Sequence, residues 1–105
     1  MDTKTVHASQ QDIQVLDVRE DDEWAVGRID GALHIPLGEL DRRAHELDPD
    51  HLIVTVCRSG GRAAKAAEML TGAGLRAEVM AGGMTQGADD KLPFSTPDGR
   101  PGHLA

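Results

Sequence analysis

Cys57 is the only cysteine among 105 residues, and it sits in the run Val54-Thr55-Val56-Cys57-Arg58-Ser59-Gly60-Gly61-Arg62. A cysteine attacks as its thiolate, and a free thiol ionises near pH ~8.5. Three neighbours are expected to favour the thiolate here. Arg58 and Arg62 bring positive charge close to the sulfur. Gly60 and Gly61 permit positive φ, so successive backbone N–H groups can turn inward as an anion-binding nest. A helical pattern begins directly after the loop, and a helix N-terminus carries roughly half a positive charge. The loop Arg58, Ser59, Gly60, Gly61, Arg62 is therefore a candidate cradle for an anionic substrate group, or for a terminal sulfur bearing negative charge. A lone cysteine after a buried strand is more often a packing residue, because free cysteine is among the most buried types. Two arginines beside it serve no packing purpose, which argues for chemistry.

The surrounding elements must deliver that loop. Leu52 to Val56 reads as a central strand, and Ile13 to Val18 as a second buried strand. Arg62 to Thr71 places Ala63, Ala66, Ala67 and Leu70 on one helical face, closed by Gly72 or Gly74. Asp21 and Asp22 can cap and charge a short helix that runs to about Val26. Ala32 to Ile35 is a short strand stopped by Pro36. Leu40, Ala44 and Leu47 predict a helix over 39–47, ended by Asp48-Pro49-Asp50. Arg76 to Met80 is a further strand, and 82–90 a loop or short helix. Residues 1–12 form an N-terminal edge segment in which Thr5 to Ala8 reads as an edge strand. Residues 95–105, with Pro97, Gly99, Pro101 and Gly102, read as a flexible tail. Strands alternating with helices imply an α/β layer with a mostly parallel sheet. Cys57 then lies at the carboxyl end of a strand, where such sheets bind ligands.

Length and composition narrow the function classes. The chain fits one domain with a modest core. Aromatics are scarce, so Val, Leu, Ile, Ala and Met must fill it. A formal net charge of −7 argues against nucleic acid and against an anionic membrane surface as partners. An anionic substrate is still compatible, because the loop arginines act at contact range while exposed charges beyond ~10 Å are screened. No apolar run approaches the ~18 residues of a membrane span, and the start of the chain lacks the apolar core of a signal peptide. One cysteine excludes an internal disulfide and suits a reducing compartment, so a cytoplasmic location is expected. The five histidines show no ligand spacing, so no metal site is expected. Thiolate chemistry of this kind calls for no cofactor. Asp17 and Arg19, near a strand end, are candidates for the rim of the site or for a structural ion pair, with Glu23 as one partner for Arg19. His34, before Ile35-Pro36, reads as a hydrogen-bonded structural residue.

At these residues the chain resembles the rhodanese-type sulfurtransferases. Cys57 to Arg62 looks like their six-residue active-site loop. Leu16-Asp17-Val18-Arg19-Glu20 through Trp24 resembles their Asp-Val-Arg-Glu segment. Gly27-Arg28-Ile29-Asp30-Gly31-Ala32-Leu33-His34-Ile35-Pro36 resembles their Gly-His-Ile-x-Gly-Ala-x-Asn-Ile-Pro run, and Met80-Ala81-Gly82-Gly83-Met84 their Gly-Gly segment. The resemblance covers about residues 13–94 and implies a three-layer α/β fold with helices on both faces of the sheet. It implies transfer of a sulfane sulfur from a donor such as thiosulfate to cyanide or a thiol, through a persulfide on Cys57. Three departures stand out. Gly87 lies where the family commonly has tryptophan, Ala63 where serine is frequent, and the leading strand–helix unit before Ile13 looks shortened.

Two other readings compete. A sulfur-relay module would use Cys57 to serve a protein acceptor. A phosphatase or arsenate reductase on the same scaffold, by resemblance, needs five residues between its cysteine and arginine. Only four separate Cys57 from Arg62, and the smaller loop suits a single sulfur better than a phosphoryl group. With no second cysteine in the chain, a sulfur carried on Cys57 must be discharged by an outside thiol or partner.

Overall fold

The computed structural model describes residues 1–105. Along the chain run α1 (Thr3–Ala8), β1 (Ile13–Asp17), α2 (Asp21–Val26), β2 (Arg28–Ile29) and β3 (Leu33–His34). They are followed by α3 (Leu40–Arg43), β4 (Leu52–Val56), α4 (Gly61–Gly72), β5 (Ala77–Val79), α5 (Gly83–Asp89) and β6 (Phe94–Ser95). The central sheet has the order β3-β1-β4-β5, and every pairing in it is parallel. Strands flanked on both sides need apolar residues on both faces. β1 and β4 have that pattern, and Ile53, Val54, Thr55 and Val56 are all buried.

Side chains alternate across the sheet and divide the core in two. Leu16, Ile53 and Cys57 face Leu40, Ala63, Ala66 and Leu70 on the side of α3 and α4. Val15, Val54 and Val56 face Val6, Met80 and Met84 on the side of α1 and α5. The architecture is thus the three-layer α/β arrangement with helices on both faces. Each fully buried aliphatic side chain contributes about 1.5–3 kcal/mol.

Several local expectations are revised. Thr5 to Ala8 is not an edge strand but the body of α1. Asp2 caps this helix by accepting from the Thr5 N–H at 2.7 Å, and that local bond outweighs the β-branched residues. The helix expected over 39–47 is broken into a 3-10 turn (Leu37–Glu39), one α turn (α3) and a second 3-10 turn (Ala44–Glu46). Leu40 and Leu47 still reach the core, as their spacing requires. Residues 82–90 resolve into α5. The segment 95–105, expected as a flexible tail, is docked. β6 pairs antiparallel with β2, the Gly102 N–H reaches the Phe94 carbonyl, and the His103 N–H reaches the Val26 carbonyl. Leu104 packs against the α1/α5 core. Phe94 and Leu92 also close over Gly87, standing about where a side chain at that position would project. No helix is long and apolar enough to cross a membrane.

The pairing that matters most for the site is β1 with β4. Asp17 lies opposite Val56, and the Val18 N–H donates to the Val56 carbonyl at 2.9 Å. The carboxyl ends of the two inner strands therefore finish side by side, and the segment from Asp17 to Glu23 runs beside Cys57.

Candidate active site

β4 carries Cys57 to the carboxyl edge of the sheet, and the chain turns at once into α4. Gly60 makes the turn with φ 126°, a conformation that side-chain-bearing residues rarely adopt. This geometry aims the Gly60 N–H at Cys57 Sγ, 3.0 Å away, and the Ala63 N–H approaches the same sulfur at 3.3 Å. Gly60 is the N-cap of α4 and offers no side-chain oxygen, and Ala63 is the third helical residue. A capping oxygen normally accepts from that third N–H. Here the sulfur takes its place, so Cys57 caps a twelve-residue helix at its positive end. Donors fixed in this way favour negative charge on sulfur. The side chain of Cys57 is only 1 % exposed.

The loop is held from behind by α5. Met84 N–H donates to the Cys57 carbonyl at 2.9 Å, and Thr85 donates to the Arg58 carbonyl through its N–H at 2.9 Å and its hydroxyl at 3.0 Å. Gly83 makes this approach possible. It has φ 60°, and a Cβ there would lie 2.5 Å from the Cys57 carbonyl oxygen and 2.7 Å from that of Arg58. From below, the buried Thr55 hydroxyl donates to the Ala63 carbonyl at 2.8 Å and steadies the first turn of α4.

The two loop arginines differ. Arg58 is exposed, and its Nε donates to the Ala105 carbonyl at 3.2 Å. Arg62 is half-buried and grips Glu23 with two parallel bonds, Nη1 to Oε1 at 2.7 Å and Nη2 to Oε2 at 3.0 Å. Glu23 also accepts from the Glu20 N–H and closes a capping box at the start of α2. The Arg62 guanidinium is the main cause that holds the Glu23 carboxyl down at about 2, against partial desolvation that pushes it up. Arg62 is in turn shifted up, chiefly by its hydrogen bonds to Glu23. Ser59 and Gly61 are exposed.

Asp17 and Arg19, expected as rim candidates or as a structural pair, are 1 % and 0 % exposed and bind each other. Arg19 Nε reaches both carboxylate oxygens, Nη2 reaches Oδ2 at 2.8 Å, and Nη2 also donates to the Gly27 carbonyl. The partner of Arg19 is thus Asp17, and Glu23 belongs to Arg62. His34 donates through Nε2 to the Arg19 carbonyl at 2.8 Å. It also stacks on Trp24 with centroids 4.6 Å apart, and Arg28 lies over the Trp24 ring at 4.4 Å. No group of His, Cys, Asp and Glu side chains is arranged to hold a metal ion.

The surface hollows lie away from this loop. One of about 440 Å³, lined by Gln10, Gln14, Asp30, Asp48 and His51 among others, sits at the amino ends of β1 and β4, opposite Cys57.

Sequence reasoning brought Cys57 through Arg62 together because they are contiguous. It missed the supports: Glu23 as the carboxylate for Arg62, Gly83 and Thr85 behind the loop, and Thr55 beneath it. The one available signal was chemical, since an arginine held rigidly needs a carboxylate, and Glu23 was assigned to the nearer arginine.

Known proteins resemble this chain in sequence and in fold. Among curated proteins, one of Allochromatium vinosum named sulfurtransferase is 33 % identical over 93 residues, covering 88 % of this chain and 87 % of that protein. A Bacillus subtilis protein named for a sulfur-carrier role, YrkF, is 40 % identical over 68 residues, covering 65 % of this chain. The match takes in only 37 % of YrkF's own length. Among solved structures, a rhodanese-related protein from Thermoplasma volcanium superposes with a TM-score of 0.86 at 29 % identity, covering 90 % of this chain and 94 % of that one. A family model, the rhodanese-like domain, matches residues 3–90, and with that span the chain belongs to the rhodanese-like domain family.

Proposed function

We propose that the protein is a sulfurtransferase in which Cys57 carries the sulfur in transit. The observation that carries this reading is the pair of N–H donors from Gly60 and Ala63 that converge on Cys57 Sγ at the head of α4. The Cys57 thiolate attacks the outer sulfur of a donor such as thiosulfate. The new S–S bond forms as the donor's S–S bond breaks, and sulfite leaves with the electron pair. Cys57 is left as a persulfide anion, stabilised by the N–H groups that run from Ser59 to Arg62. An acceptor, cyanide or a thiol, then attacks the outer sulfur and returns the Cys57 thiolate. Two half-reactions on one enzyme give ping-pong kinetics. A loop this small, with four residues between Cys57 and Arg62, favours one sulfur atom over a phosphoryl group. No cofactor enters either step.

Intact-mass spectrometry after incubation with thiosulfate tests the reading. The expected result is a gain of one sulfur atom, removed by cyanide and absent in Cys57→Ser. If no adduct forms with any of several sulfane-sulfur donors, the reading is wrong. A second form of the same chemistry, relay to a dedicated protein acceptor, draws support from the likeness to a protein named for sulfur carriage. It predicts faster discharge to a protein thiol than to cyanide or to small thiols.

A further inference from the structure

We infer that Glu23 is a positioning residue that divides the work of the two loop arginines. It commits Arg62 to clamping α2 against the loop, and leaves Arg58 as the cation open to an anionic sulfur donor. The inference rests on the sulfur-transfer reading for its substrate and on geometry for the rest. Arg62 and Glu23 satisfy each other through two parallel charge-assisted bonds, and their side chains are 34 % and 18 % exposed. Bidentate pairing of this kind fixes orientation as well as charge. Arg58 pairs with no Asp or Glu side chain, and its one side-chain bond goes to a backbone oxygen of Ala105 at 3.2 Å. The remaining ionisable groups around the pair are Glu20, Arg19 and Cys57 itself. With Glu23 in place, the pair sums to zero charge beside the sulfur. Without Glu23, a second free cation faces it. Glu23 stays ionised at any pH where a thiolate could react, because its carboxyl titrates only at about 2.

Cys57 is the sole cysteine, so its alkylation can be read without ambiguity. The experiment compares alkylation by iodoacetate, an anion, with alkylation by iodoacetamide, its neutral isostere. Both meet the same steric barrier, so the ratio of their rates reports local charge even where burial slows each of them. Glu23→Gln is expected to raise the iodoacetate-to-iodoacetamide ratio about three- to tenfold at low salt, and Arg58→Gln to lower it by a similar factor. Glu23→Gln/Arg62→Gln is expected to return the ratio to the parent value. Glu23→Asp keeps the charge but shortens the arm. It should leave the ratio unchanged while kcat for thiosulfate falls severalfold and KM moves little. A ratio that does not rise in Glu23→Gln overturns the inference, as does a double variant that stays displaced. Neither alkylating agent requires sulfur transfer, so the inference can fail while persulfide formation stands, and the reverse.

Discussion

Two arginine–carboxylate pairs stand at the same end of the sheet, and they do opposite things. Asp17–Arg19 is wholly buried, with side-chain exposures of 1 % and 0 %. Glu23–Arg62 is partly open, at 18 % and 34 %. Both are multiply hydrogen-bonded, and their acidic members are six positions apart in the chain. Burial separates their roles. A buried pair has given up its hydration and can only be broken at high cost, so Asp17–Arg19 joins the end of β1 to the Gly27 carbonyl and serves the fold. A half-open pair still meets solvent and incoming anions, so Glu23–Arg62 can shape a site without anchoring the core. The two arginine–carboxylate pairs differ most in how far solvent reaches them.

The contrast can be broken by mutation. The largest effect belongs to the buried pair. Asp17→Asn strands the Arg19 charge and is expected to cost about 3–5 kcal/mol in urea unfolding. A loss below about 1 kcal/mol would mean that the pair is not structural, and the contrast collapses. Next comes the backing of the loop. Gly83→Ala forces a strained backbone against the Cys57 and Arg58 carbonyls, and should cost about 1–3 kcal/mol and slow sulfur loading in the mass assay. Unchanged loading would show that the loop does not depend on α5.

Breaking the open pair is milder. Glu23→Gln should cost about 1–2 kcal/mol, since solvent screens part of the interaction. The pH dependence has a definite sign. The folded carboxyl titrates at about 2, below its ordinary 4.5. Its contribution is therefore full above pH ~4.5 and is lost as pH falls toward ~2. The difference in stability between parent and Glu23→Gln should shrink across that window in acid titrations. A gap that grows on acidification would reverse the assignment. The smallest expected effect is Thr55→Val, which removes one buried hydrogen bond to Ala63 at about 1 kcal/mol. A much larger loss would make the strand below the loop, rather than the pair in front of it, the dominant support.

What was legible in the sequence follows from the distance between partners. The strand–loop–helix around Cys57 needed only neighbouring residues, and β-branched residues, two glycines and an alanine-rich helix announced it. The parallel sheet followed from the alternation of elements. Glu23 and Arg62 lie 39 positions apart, and only the β1/β4 register brings them together. Local spacing pointed Glu23 toward Arg19 instead. Thr5 and Val6 carry β propensity, yet a single cap from Asp2 settles a helix there. The Pro- and Gly-rich end looked unpatterned because its order comes from β2 and Val26, far away in sequence.

The grip of α5 on the loop has a consequence for synthesis. Cys57 and Arg58 leave the ribosome about 27 residues before the N–H groups of Met84 and Thr85 that hold their carbonyls. At ~5–20 residues per second this is an interval of roughly one to five seconds, before any delay in the exit tunnel. During that time the chain's single thiol is part of an unfinished loop, open to whatever oxidants or electrophiles surround the nascent chain. The residue proposed to carry the sulfur is thus most vulnerable before the fold that shelters it exists.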